Sequence, residues 1–174
     1  MPSERAAALA DEFAAANDAA IALAESCSES QWRTVVPGEE WTVGVVLHHV
    51  AEGHAQGARW LRSMAAGDGV ADTGDDIDRH NITHAEQWSD VSVADTVASL
   101  RDNGTRTEAL LRALTDEELD RTAPFGPAGG RLFPVAQLAA VASGHPRGHL
   151  AHAREALDAS GRKSATNATN AQNT

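Results

Sequence analysis

Apolar residues recur at three- and four-residue spacing along four long stretches of the chain, the period of amphipathic helices. The first runs from a cap at Ser3 through Leu9, Phe13, Ala16, Ala20 and Leu23 to about Cys27. The second opens at Trp41-Thr42-Val43, with Thr42 as its cap. Its stripe passes through Val46, Leu47, Val50, Gly57, Ala58, Leu61 and Met64 before Gly67-Asp68-Gly69 stops it. The third extends from a cap at Ser92 to about Leu114, and the fourth from near Pro134 to about Ala159. In the fourth, Leu138, Val141, Ala142, His145, His149, His152 and Ala156 form the inward stripe.

The intervening segments carry turn signals. Ser28 to Glu40 holds Trp32 and Pro37-Gly38 and should cross one end of the domain, with Trp32 plugging the core. Gly67 to Asp78 is acidic and Gly-containing, a surface loop, and the following Ile77–Ala85 segment is short enough to form one small helix. Thr115-Asp116-Glu117-Glu118 has the form of a capping box, and Arg121 to Phe133, with its Gly and Pro residues, predicts an extended crossover. Four amphipathic helices with a long crossover between the second and third predict an all-α four-helix bundle over residues 1–160. Residues 161–174 are low-complexity and are expected to form a disordered tail.

Composition narrows the classes. The net charge of −11 lacks the basic stripe that a nucleic-acid binder needs to neutralise phosphates. No apolar run reaches the length of a membrane span, and Met1-Pro2-Ser3-Glu4-Arg5 has no apolar signal region, so a soluble cytoplasmic protein is expected. The single Cys27 has no partner for an internal disulfide and sits where it makes a poor nucleophile.

The candidate chemistry lies in the histidines. His145 and His149 are four residues apart, one helical turn, a spacing from which two imidazoles reach one metal ion. A third ligand must come from Leu47-His48-His49-Val50-Ala51-Glu52-Gly53-His54. At 100° per residue His48 points away from the stripe and reads as solvated, His49 falls on its edge and His54 within it, so periodicity leaves His49 and His54 in competition. Glu52 reads as an exposed carboxylate, and His152 as a histidine behind the ligands or near the helix end rather than a ligand. His80 and His84 read as surface or loop-packing residues; facing inward, they would line the mouth of the site, with Asn81 as a polar contact. Pro146 inside the fourth helix removes one ladder bond beside His145 and should bend the axis there.

The run Trp41-Thr42-Val43-Gly44-Val45-Val46-Leu47-His48-His49, followed by Ile77-Asp78-x-x-Asn81 before the third helix and later by His145-x-x-x-His149, resembles the DinB-like superfamily over most of residues 5–159. That superfamily includes the bacillithiol and mycothiol S-transferases and the metal domain of mycothiol-dependent maleylpyruvate isomerase. The resemblance, not the periodicity, selects His49, and implies a divalent zinc, nickel or iron ion on His49, His145 and His149. It also implies a low-molecular-weight thiol such as mycothiol, for which Asn81 and His84 are the binding candidates, a small-molecule electrophile as co-substrate, and a homodimer. The function so implied is metal-dependent thiol activation for S-transfer or isomerisation, with no protein nucleophile required. The alternative is a non-catalytic, stress-related bundle that binds a metal or small molecule.

Overall fold

The structure is a computed structural model that describes the backbone of residues 3–172 and the side chains of residues 3–162. Four long helices carry the fold: α1 (Glu4–Ser26), α3 (Val43–Ala66), α5 (Val93–Ala113) and α7 (Val135–Gln172). Between them lie short α2 (Glu29–Trp32), α4 (Gly74–Gln87) and α6 (Asp116–Asp120). Each start is set by local chemistry. Ser3, Thr42 and Ser92 accept a backbone N–H from the first turn of α1, α3 and α5, and Thr115 closes a capping box on α6.

α1 and α3 both pack against α5 and α7, so α1 and α3 lie across the diagonal of the bundle. A diagonal step is longer than a step to a neighbour, and the connection from α1 to α3 is correspondingly elaborate. It contains α2 and a small antiparallel hairpin of β1 (Val35–Val36) and β2 (Trp41–Thr42). The connection into α7 contains a second hairpin, β3 (Thr122–Phe125) with β4 (Arg131–Pro134), where the sequence suggested only an extended crossover. The crossover between α3 and α5 carries α4, longer than the small helix expected there.

The core divides into two apolar clusters. One is built around Trp32, Val43, Leu47, Val50, Leu100 and Leu150, the other around Phe13, Leu61, Met64, Leu111, Leu119 and Val135. Trp32 plugs the first as expected, 2% exposed, and its indole N–H donates to the Val91 carbonyl at 2.8 Å. Buried polar groups also join α1, α3 and α5. His54 Nε2 pairs with Asn17 Oδ1 at 3.0 Å, and the Thr107 hydroxyl donates to the His54 carbonyl at 3.1 Å.

α7 continues through Pro146 without ending. Two members of its expected inward stripe are exposed instead: Val141 is 48% exposed, and the His152 side chain 58%. The buried face runs through Ala139, Ser143, Leu150 and Ala153, and both exposed residues lie beyond its edge. The tail expected over 161–174 lies, from residue 163 onward, outside the residues whose side chains are described.

Candidate metal centre

The fold brings together three imidazoles from two distant segments. His49 from α3 and His145 and His149 from α7 offer nitrogen atoms that all lie within 4.8 Å of one another. The His49 ring centroid is 5.2 Å from that of His145 and 5.1 Å from that of His149. His145 Nε2 and His149 Nε2 are 3.2 Å apart. Two nitrogens bound to one ion at about 2.0–2.1 Å and a near-tetrahedral angle stand roughly 3.3 Å apart, so this spacing fits a shared ion.

Two contacts hold these rings in place. His149 Nδ1–H donates to Glu39 Oε2 at 2.8 Å, which leaves Nε2 as the bare, inward-facing nitrogen. The other carboxylate oxygen of Glu39 accepts from His152 Nδ1, also at 2.8 Å. Glu39 sits in the β1–β2 turn, 110 residues before His149. On the other side, His145 lies close against α3 because Gly53 has no side chain: a Cβ there would come within 3.0 Å of His145 Cε1.

Burial sets the protonation of the cluster. It pushes His49 down to about 2, with repulsion from His145 and His149 adding to the effect. His145 is lowered to about 4, chiefly by burial and then by His149. Both rings are neutral near pH 7, the state in which imidazole ligates metals.

His54, the competing candidate, does not join the cluster. Its Nε2 is occupied by Asn17, and burial holds it down at about 3.

A sequence profile of the DinB superfamily matches residues 12–153. The chain belongs to the DinB superfamily. Among solved structures, this DinB-superfamily chain is similar to YfiT from Bacillus subtilis, described as a probable metal-dependent hydrolase with an unusual four-helix bundle topology. The TM-score is 0.76 at 20% sequence identity, covering 92% of this chain and 90% of that one. No curated protein matches the chain.

Beside the three histidines lies a second group, His48, Glu52 and His84, whose donor atoms also lie within 4.8 Å of one another. Three of the sequence expectations for this DinB-superfamily chain are corrected here. His48 is buried, not solvated, because α4 and the residue after it cover its face of α3: its ring lies 4.1 Å from that of Trp88 and 5.2 Å from that of His84. His84 is no surface residue; its side chain is fully buried, and Nδ1 donates to Glu52 Oε2 at 2.9 Å. Glu52 is thus a partner of His84, with His80 Nε2 3.6 Å from the same oxygen, rather than a free surface carboxylate. His48 Nδ1 and His84 Nε2 are buried without a hydrogen-bond partner among the described residues.

A cavity of about 230 Å³ opens beside the site, bounded at one end by His49 and His145. Asn81 lines it and His84 does not. Cys27 lines neither the cavity nor the histidine cluster; burial pushes its thiol up, which suppresses the thiolate. Among the described residues, no helix is long and apolar enough to cross a membrane.

Proposed function

We propose that the protein is a metal-dependent enzyme that activates a small nucleophile at His49, His145 and His149, with a low-molecular-weight thiol as that nucleophile and S-transfer or isomerisation as the outcome. The observation that carries this reading is the convergence of three imidazoles, two of them 3.2 Å apart, from segments about a hundred residues apart in the chain. A divalent zinc, nickel or iron ion held by three histidines, with a position left open, supplies Lewis-acid chemistry that lowers the pKa of a bound thiol or water towards neutrality.

The chain's own residues do the rest. Glu39 fixes the tautomer of His149 and balances part of the positive charge gathered there. Gly53 lets His145 reach the same point from the neighbouring α7. The cavity offers space for a substrate against His49 and His145, with Asn81 as a polar contact. His84, turned towards Glu52, stands behind the site rather than in the cavity and supports the His49 ring, 5.5 Å away between centroids.

Hydrolysis, with water in place of the thiol, is the second reading, favoured by the description of YfiT as a probable metal-dependent hydrolase. One assay separates the readings. The purified protein is given a chlorinated aromatic or an epoxide with a thiol, and separately 4-nitrophenyl acetate without thiol, each with and without chelator. Chelator-sensitive thiol consumption supports transfer, and chelator-sensitive ester cleavage alone supports hydrolysis. Turnover of neither leaves a non-catalytic metal-binding bundle.

A further inference from the structure

We propose that the cavity beside the three histidines is the binding site of a compact, uncharged, mostly apolar electrophile, and that the nucleophile reaches the same imidazoles from the opposite, polar side. This rests on the function proposed above and assigns its two substrates to different faces.

The lining carries the argument. Trp60, Leu61, Leu138 and Val141 form apolar walls, with Gln56 and Asn81 as neutral polar groups, and among the described residues no Asp, Glu, Lys or Arg side chain lines the cavity. An ionised ligand entering it would lose its hydration without meeting a counter-charge, which disfavours its entry. A neutral apolar ligand pays no such penalty and removes its own surface from water. The volume of about 230 Å³ sets the size. Since a cavity of about 150 Å³ holds benzene, this one suits a substituted benzene or an aliphatic molecule of similar bulk. A thiol bearing hydroxyl and carboxylate groups finds no partners there.

The two faces differ in which ligand they meet. His49 and His145 border the cavity and His149 does not. His149 lies instead against Glu39, beside His152, whose side chain is 58% exposed. Solvent and polar solutes therefore approach on the side of His149 and His152. Transfer between the faces needs no further reagent: the S–C bond forms, the bond from carbon to its leaving group breaks with its electron pair, and the thiol proton goes to solvent.

Gly57 gives a means of closing the cavity. It lines the space, and a Cβ added there meets nothing within 4 Å, so Gly57→Leu extends its side chain into the void. The test uses benzyl alcohol as the neutral probe and benzylammonium as a near-isosteric cation. Binding is read from the Trp60 indole N–H resonance, and metal content is measured on the same samples. The wild-type chain is expected to bind benzyl alcohol at least tenfold more tightly than benzylammonium. Gly57→Leu should lose at least tenfold in affinity for benzyl alcohol at unchanged metal content. Equal binding of the two probes to the wild-type chain overturns the inference without any variant, as does undiminished binding by a folded Gly57→Leu protein. Selective benzyl alcohol binding by a protein that takes up no metal leaves the cavity assignment standing and removes the function it serves. Metal uptake without probe binding does the reverse.

Discussion

Glu39 Oε2 lies 2.8 Å from Nδ1 of His149, so a carboxylate from the β1–β2 turn holds an imidazole on the last helix. If that imidazole ligates an ion, the carboxylate raises its basicity and fixes which nitrogen faces inward. Glu39→Gln, which keeps the shape and removes the charge, is expected to weaken metal affinity by about 10- to 100-fold with little change in stability. Competition against a chelator of known affinity measures it, and an unchanged dissociation constant would show that Glu39 serves only the turn.

Gly53 and Gly57 stand one turn apart on α3 and are predicted to respond oppositely to alanine. A methyl group at Gly53 lands 3.0 Å from His145 Cε1 and 3.4 Å from its Nδ1, so the ring must move. Gly53→Ala should therefore lower metal affinity by about tenfold, or ~1.4 kcal/mol. At Gly57 the methyl group meets open space, and the alanine should raise stability by up to about 1 kcal/mol through helix propensity. Urea unfolding and metal titration of both variants decide the matter; equal effects at the two sites would contradict the packing described for His145.

The metal-free protein is predicted to lose stability in mild acid. Burial, with a smaller contribution from His145, holds His54 at about 3, against 6.5 for the free side chain. Between these values the unfolded chain binds a proton that the folded chain refuses, so stability is complete above about 6.5 and falls as the pH drops towards 3. Near pH 5 this one group contributes a slope of ~1.4 kcal/mol per pH unit. Urea midpoints measured from pH 8 to pH 4 should be flat above 6.5 and then decline, less steeply in His54→Gln. A variant with an unchanged slope would mean that His54 is protonated in the folded state.

What could be read from the sequence is what local chemistry controls. The caps at Ser3, Thr42, Ser92 and Thr115, the four apolar stripes and the one-turn spacing of His145 and His149 all depend on residues within a few positions of one another. Placing Trp32 in the core needed only its size and its neighbouring turn signals. The choice between His49 and His54 needed the family resemblance: the two stand about 140° apart on α3, but periodicity does not say which of those faces meets the histidines of α7. In the structure His54 is taken up by Asn17, a contact from another helix that no periodicity reveals.

The remaining features are tertiary. His48 is buried by α4 and Trp88, and Glu52 is paired by His84, through packing of a crossover whose own hydrophobic signal is weak. Glu39 reaches its histidines from a loop 110 residues away and carries no sequence mark beyond a Pro-Gly turn beside it. The short hairpins escaped notice because strands of two and four residues offer too little alternation to detect. Val141 and His152, eleven residues apart and so on one line of the helix, lie beyond the edge of the face that packing buries through Ala139, Ser143, Leu150 and Ala153.

Elemental analysis of the purified wild-type chain beside a His145→Ala, His149→Ala variant tests the central claim most directly. About one equivalent of a divalent transition metal per wild-type chain is predicted, and essentially none in the folded double variant. Equal metal content in the two proteins would contradict the assignment of His49, His145 and His149 as a metal centre.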